Sequence, residues 1–216
     1  MRRAEIVAAG VISLVFIVLD GCQGASNKTA STEQAKPVAA QTHKEPLLYT
    51  GKQALGAMHG FALRWAPDAL PIRLESAANS ESNGQDGKAT VWQGMFASAS
   101  RGTFRTYTWS GSRLPASPAY GVTSSMETSY RADVEGVMFQ PVSVLTDSDA
   151  AFATAQSHGG ANLTKKDPKQ PVVYSLVLSP QQKQLLWYVV YGSSRDDSKG
   201  MGIISASTGA FLRAAK

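Results

Sequence analysis

The carboxyl-terminal half of the chain is divided into short apolar segments, each bounded by residues typical of turns. The segments Pro171–Leu178, Leu185–Tyr191 and Met201–Ala206 are rich in β-branched and aromatic residues, which is the composition of strands. Ser207-Thr208-Gly209 then supplies a tight turn, because glycine adopts positive φ angles without strain. This turn leads into a last short strand at Ala210–Leu212. The pattern predicts an antiparallel meander.

A short helix is predicted directly before this meander. Asp147 or Ser148 can cap its first turn, and the Gly159-Gly160 pair can end its last turn. The cluster Lys165-Lys166-Asp167-Pro168-Lys169 that follows is predicted to be a solvated loop, because it combines a proline with dense charge. Residues 146–216 are therefore interpreted as one unit, a helix followed by strands.

The preceding part of the chain repeats this order with looser spacing. A helix is predicted at Lys52–Trp65, where Leu55, Met58, Ala62 and Trp65 share one face. Residues 110–136 are rich in Ser, Gly and Pro and are predicted to be mostly irregular. Strands are predicted at Pro71–Ser76, Ala89–Phe96 and Thr103–Trp109, with one more at Val137–Leu145 that is interrupted or at a sheet edge because of Pro141.

Two units of this kind, residues 47–145 and residues 146–216, predict an α+β fold in which each helix packs across one curved antiparallel sheet. The second unit also resembles a known family. Its Gly159-Gly160 pair, its strand Leu185–Val189 and its ending Gly202–Leu212 are similar to the PepSY domain. The first unit matches only as a degenerate copy.

The resemblance carries expectations about fold and function. Tandem PepSY-like units resemble cystatin-like folds, and PepSY domains are thought to bind or restrain peptidases or to act as sensory and accessory modules. Ser205 or Ser207 stands where the family often has an acidic residue. The resemblance therefore implies a binding or regulatory role, although not one that depends on that charge.

The amino terminus has the pattern of an export signal. Arg2 and Arg3 precede an apolar stretch from Ile6 to Leu19, and the small residue Gly21 follows. A helix that crosses a membrane needs about 20 apolar residues, and this stretch is shorter. We therefore interpret residues 1–21 as a signal peptide that is cleaved after Gly21.

Leu19-Asp20-Gly21-Cys22 resembles the lipobox of bacterial lipoproteins, although Asp20 departs from its small uncharged residue. Cys22 is the only cysteine, so it has no partner for an internal disulfide. The resemblance implies that acyl chains such as palmitate are attached to Cys22, and two or three chains anchor a protein stably. Gln23 then implies the outer membrane, facing the periplasm, if the cell is Gram-negative. The alternatives are an ordinary cleaved signal peptide and an uncleaved anchor.

Residues 22–46 are predicted to be a flexible tether between the lipid and the folded part. After Cys22 they contain no aromatic residue and only Val38 among the large aliphatic residues, so they cannot bury enough apolar surface to fold. A chain of this length reaches about 25–30 Å. The formal net charge of +5 is mild, and an exported lipoprotein seldom meets nucleic acid, so no nucleic-acid partner is predicted.

Sequence motifs of catalysis are missing. The sequence has no Gly-x-Ser-x-Gly, His-Glu-x-x-His or phosphate-binding glycine loop. His59 and His158 each lie near a predicted helix end, where a histidine interacts favourably with exposed carbonyl groups. Asp196-Asp197 lies in a polar hairpin loop without the spacing of a calcium loop. No metal, cofactor or enzymatic activity is predicted.

The strand Leu185–Tyr191 is apolar on both of its sides, so one face of the sheet packs on the helix and the other meets a neighbour or a partner. Trp187, Tyr188 and Tyr191 are the candidate binding surface, although most such aromatics are core residues. The leading hypothesis is a tethered module that binds an envelope protein, such as a peptidase. The alternatives are a small-molecule carrier and, more weakly, a hydrolase.

Substitution of Cys22 by serine tests the interpretation of the amino terminus. We expect Cys22→Ser to abolish the incorporation of labelled palmitate and to release the protein from membranes, because the thioether needs the thiol. Metabolic labelling followed by membrane fractionation measures both effects. Label retained by the variant would refute lipidation at this residue.

Overall fold

The structure, a computed structural model, describes residues 45–215, which belong to one compact unit. The predicted signal peptide, Gly21, Cys22 and nearly all of the tether lie outside the described residues. No helix in the described range is long and apolar enough to cross a membrane.

The elements alternate between helices and meanders along the chain. The helices are α1 (Gly51–Trp65), α2 (Ala132–Glu135), α3 (Ser148–Ala155) and α4 (Ala161–Lys166). The strands are β1 (Tyr49–Thr50), β2 (Leu70–Ser76), β3 (Lys88–Ala89), β4 (Val91–Ser98), β5 (Thr103–Ser110), β6 (Gly121–Ser124), β7 (Thr128–Ser129), β8 (Val172–Ser179), β9 (Gln184–Tyr191), β10 (Gly200–Ser205) and β11 (Phe211–Ala215).

One antiparallel sheet runs through both predicted units. Its strand order is β11-β10-β9-β8-β2-β4-β5-β6, and β7 also pairs with β5. The first long strand of each meander lies at the centre, where Leu74 of β2 faces Leu176 of β8. Each half is therefore a helix followed by a meander, and the two meanders are joined through their first strands. The predicted α+β fold is confirmed.

A tryptophan anchors the start of the helix in each half in the same way. The indole nitrogen of Trp92, on β4, donates to the backbone oxygen of Tyr49 at 2.9 Å. That of Trp187, on β9, donates to the oxygen of Thr146 at 2.9 Å. Each acceptor lies one residue before the N-cap of its helix. The two rings meet edge to face at 6.4 Å, so the two halves share one aromatic core.

The two helices meet at their amino termini, where one carboxylate caps both. Asp147 accepts hydrogen bonds from the backbone of Ser148 at 2.7 Å, the backbone of Lys52 at 2.8 Å and the hydroxyl of Thr50 at 2.6 Å. The Ser148 hydroxyl oxygen accepts from the backbone of Gly51 at 2.7 Å. Backbone N–H groups that helix geometry leaves without partners are satisfied across the two units.

The predicted apolar face of α1 is confirmed. Leu55, Met58 and Ala62 are buried, and Trp65 is partly buried against the same core. The space between helices and sheet is filled by large side chains, the biggest of which are Trp92, Trp187, Tyr174, Tyr191 and Phe96. This packing is that of a solid protein core.

The Gly159-Gly160 pair ends the second helix, as the sequence predicts. His158 and Gly159 leave helical geometry, with φ angles of −110° and +106°, so the chain kinks there before the short helix α4 begins at Ala161. Lys165 and Lys166 therefore lie in the last helical turn instead of in a loop. Their charges are well placed there, because a helix carboxyl terminus attracts cations.

The predicted strand at Val137–Leu145 was wrong. Val137 makes one isolated bridge to Leu178, and the backbone N–H of Phe139 donates to Pro71 at 2.9 Å. The chain then enters a 3-10 turn at Pro141–Ser143. Pro141 lacks the backbone N–H that a strand donates to its neighbour in a sheet. In addition, β2 and β8 already pair with each other at the centre of the sheet.

The double cap predicts a large effect of Asp147 on stability. We expect Asp147→Ala to lower the free energy of unfolding by about 2–3 kcal/mol, because each lost helix cap costs about 0.5–2 kcal/mol. Chemical denaturation measures the change. Asp149→Ala is the matched control, since Asp149 is exposed in the same turn and bonds only the next backbone N–H. Equal effects of the two variants would contradict the double cap.

Candidate binding face of the sheet

Helices α1 and α3 pack against one face of the sheet. The opposite face is called the helix-free face below, because neither of these helices packs on it. Side chains alternate between the faces along each strand. Trp187 and Tyr191 point to the helix side and are 0% and 2% exposed, whereas Tyr188 points to the helix-free face. Of the three residues predicted to form a binding surface, only Tyr188 is therefore accessible to a partner.

A chain of polar side chains crosses the helix-free face over the centre of the sheet. The Ser175 hydroxyl donates to Glu75 at 3.3 Å, and the guanidinium of Arg195 donates to the Ser175 oxygen at 3.5 Å. Arg73 pairs with the other carboxylate oxygen of Glu75 at 3.6 Å. Arg195 also lies 4.2 Å above the ring of Tyr188. These five residues are called the polar chain below.

Two grooves flank the polar chain and share Glu75 and Ser76. The larger has a volume of about 440 Å³ and extends over β4 towards Ser117. The smaller has a volume of about 220 Å³ and extends over Ser175 towards Arg195. Both grooves open to solvent, so they offer a continuous, uneven surface instead of a closed pocket.

The charges of the polar chain stay available to a ligand. The side chains of Arg73 and Glu75 are 42% and 40% exposed, and an ion pair at such exposure contributes little stability. Arg195 is exposed on the loop between β9 and β10. A hydrogen bond within this loop, from the Ser193 hydroxyl to Asp197 at 2.9 Å, stabilises its conformation. The loop containing Asp196-Asp197 thus positions a cation over the sheet.

The two histidines bond backbone oxygens near their helices, as the sequence suggested. His59 lies 3.1 Å from the oxygen of Ala69, and Nδ1 of His158 lies 2.9 Å from the oxygen of Thr154. The Ser157 hydroxyl is 3.1 Å from His158, but it also donates to the Thr154 oxygen at 2.8 Å. The Ser157 hydroxyl and Nδ1 of His158 therefore both donate to the Thr154 oxygen. A serine nucleophile would instead donate its proton to the histidine.

A second charged cluster lies beside the end of α1 and had no signal in the sequence. Glu127 accepts from the hydroxyl of Thr103 at 2.6 Å, from the indole of Trp65 at 3.1 Å and from the guanidinium of Arg105 at 3.2 Å. These bonds, the Thr103 bond above all, lower the pKa of Glu127 to about 2, and the charge of Arg101 adds to the effect. The cluster ties the β5–β7 edge to the helix.

Comparison with known proteins supports the fold. The sequence matches no family model and no curated protein. The structure is similar to the crystal structure of a predicted lipoprotein from Clostridium difficile 630, with a TM-score of 0.50 at 9% sequence identity. The match covers 75% of this chain and 91% of that chain, which is more of this chain than either half supplies alone.

The lowered pKa of Glu127 predicts acid-sensitive stability. A carboxylate whose pKa falls from 4.5 to about 2 on folding stabilises the fold above pH 4.5, and this contribution is lost as the pH falls towards 2. We expect Glu127→Gln to be less stable at pH 7 and to lose less stability over that interval. Thermal unfolding at several pH values tests this, with Glu45→Gln at an exposed position as control. Parallel pH profiles for Glu127→Gln and the wild type would contradict it.

Proposed function

We propose that the chain is an extracytoplasmic lipoprotein, anchored through Cys22, whose helix-free sheet face binds a protein partner of the cell envelope. The export pattern and the lipobox-like sequence ending at Cys22 support the anchor. The structurally similar protein from Clostridium difficile is itself a predicted lipoprotein. If the cell is Gram-negative, Gln23 supports placement at the outer membrane, facing the periplasm, as part of the same proposal.

The observation that carries the binding role is the polar chain with its two flanking grooves. Arginine and tyrosine are the residue types that dominate the energy of protein interfaces, and Arg195 stacks on Tyr188 at the middle of this face. Glu75 adds an acceptor between the grooves. A partner segment that crosses the face would therefore find both charges and an aromatic surface.

The same geometry favours a protein partner for this face over a role as a carrier of small molecules. A carrier needs a concave apolar cavity that encloses most of its ligand. Between α1 and the sheet the space is filled by side chains such as Trp92, Trp187 and Phe96. The grooves of the helix-free face are open and lined by polar residues as well as apolar ones.

A peptidase is the partner class that we propose within this role. The PepSY-like pattern of the second unit supports it, since domains of that family are thought to bind or restrain peptidases. The polar chain would then contact the peptidase surface directly, and Ser205 and Ser207, which replace the acidic residue of the family, would not be needed for contact.

Charge reversal within the polar chain tests the proposal. We expect Arg195→Glu to reduce the capture of the partner from envelope extract at least about tenfold, because central arginine contacts commonly contribute more than 1.4 kcal/mol. The full lipidated chain is used as bait, and captured proteins are quantified by mass spectrometry. Inhibition of captured peptidase activity is measured in the same fractions.

Lys165→Glu is the matched control, because it makes the same change of charge on α4, away from the polar chain. It should capture the partner as the wild type does. Equal capture by Arg195→Glu and the wild type would overturn the assignment of the binding face. Capture that depends on Arg195 but has no effect on any peptidase would retain the face and overturn only the partner class.

A further inference from the structure

A separate cavity lies on the helix side of the second unit, between the kink at His158 and Gly159 and the last two strands. Its volume is about 250 Å³, and its walls include Ala155, Gly160, Leu163, Gly202 and Phe211. The residues named are apolar or lack a side chain. Because the polar chain lies on the opposite face of the sheet, this kink pocket is independent of the proposed protein interface.

Gly159, with its φ of +106°, ends α3 and lets the chain turn into α4 beside the pocket. A Cβ atom at Gly160 would collide with the hydroxyl oxygen of Tyr191. The absence of that atom lets the tyrosine ring reach the base of the pocket.

The Tyr191 hydroxyl is a buried donor at the base of the pocket. Its oxygen accepts from the amide nitrogen of Gln156 at 3.2 Å, and the Thr164 hydroxyl fixes that amide by donating to its oxygen at 3.2 Å. The tyrosine is 2% exposed, and its proton has no acceptor among the described residues. A buried donor without an acceptor costs free energy that a ligand can recover.

The donor keeps its proton under physiological conditions. Burial raises the pKa of Tyr191 to about 12, so the hydroxyl stays neutral near pH 7. At the mouth of the pocket the ring of His158 stacks on Phe211 with centroids 4.2 Å apart. This stack supplies a flat aromatic rim.

We propose that the kink pocket binds a small, mainly apolar molecule whose buried end carries one neutral hydrogen-bond acceptor, such as a ketone or an ester. The acceptor would take the free proton of Tyr191, and the apolar body would lie against Leu163 and Phe211. One water molecule takes up about 30 Å³ in the liquid. A pocket of about 250 Å³ therefore has room for a ligand of about eight to ten non-hydrogen atoms.

Two probes of the same shape test the proposal. Acetophenone carries a ketone, and isopropylbenzene replaces its oxygen by a methyl group. Each is titrated into the mature chain with Cys22→Ser, and binding is followed by the NMR shifts of the Gly159 and Gly160 amides. Because isopropylbenzene leaves water more readily than a ketone does, each probe is compared between the wild type and Tyr191→Phe. We expect the wild type to bind acetophenone about three- to tenfold more tightly than Tyr191→Phe does, which is the usual contribution of one hydrogen bond.

Two variants locate the source of this affinity. Tyr191→Phe should weaken the binding of acetophenone while retaining the binding of isopropylbenzene. Ala214→Trp should abolish the binding of both probes, because Ala214 is exposed on β11 and lines the pocket. Tyr120→Phe is the matched control, since it deletes an exposed tyrosine hydroxyl in the first half of the chain and should leave the binding of both probes unchanged. Thermal unfolding verifies that each variant folds.

Several outcomes would overturn the proposal. They are equal affinity of the wild type and Tyr191→Phe for acetophenone, an equal loss of affinity for both probes in Tyr191→Phe, and amide shifts that occur elsewhere in the chain. None of these outcomes bears on the partner captured through Arg195. Failure of this inference and failure of the proposed function are therefore distinguishable.

Discussion

The carboxylate of Asp147 holds together the two places where the chain turns from loop into helix. Thr50 and Lys52 donate to it from one helix, and Ser148 donates from the other. Four N–H groups at each helix start have no partner within the helix, and Asp147 accepts from one of them on each side. The helix axes are thereby fixed to each other, and the central strands β2 and β8 can pair beneath them.

This junction explains why the fold class was predictable but its assembly was not. The strands of the second half were found because turn residues separate β-branched segments, and the face of α1 was found from its apolar spacing. The contact between Thr50 and Asp147 joins positions 97 residues apart. No local pattern indicates such a contact, because a capping residue looks the same whether it serves one helix or two.

The candidate site was only partly predictable for a similar reason. The segment Leu185–Tyr191 is apolar in both alternating sets, so its sequence does not indicate which set faces the helices. Trp187 and Tyr191 take the helix side, and Tyr188 takes the other. Glu75 and Ser175, at the centre of the polar chain, are 100 residues apart and meet only because β2 pairs with β8. The sequence showed both as ordinary polar positions of strands.

The pairing of β2 with β8 also bears on whether either half could persist alone. Each half, taken alone, would carry the bare edge of its first strand, and bare edges recruit another strand. In the intact chain each half covers that edge of the other. Separating the halves would therefore expose two complementary edges and favour their association with each other or with other chains.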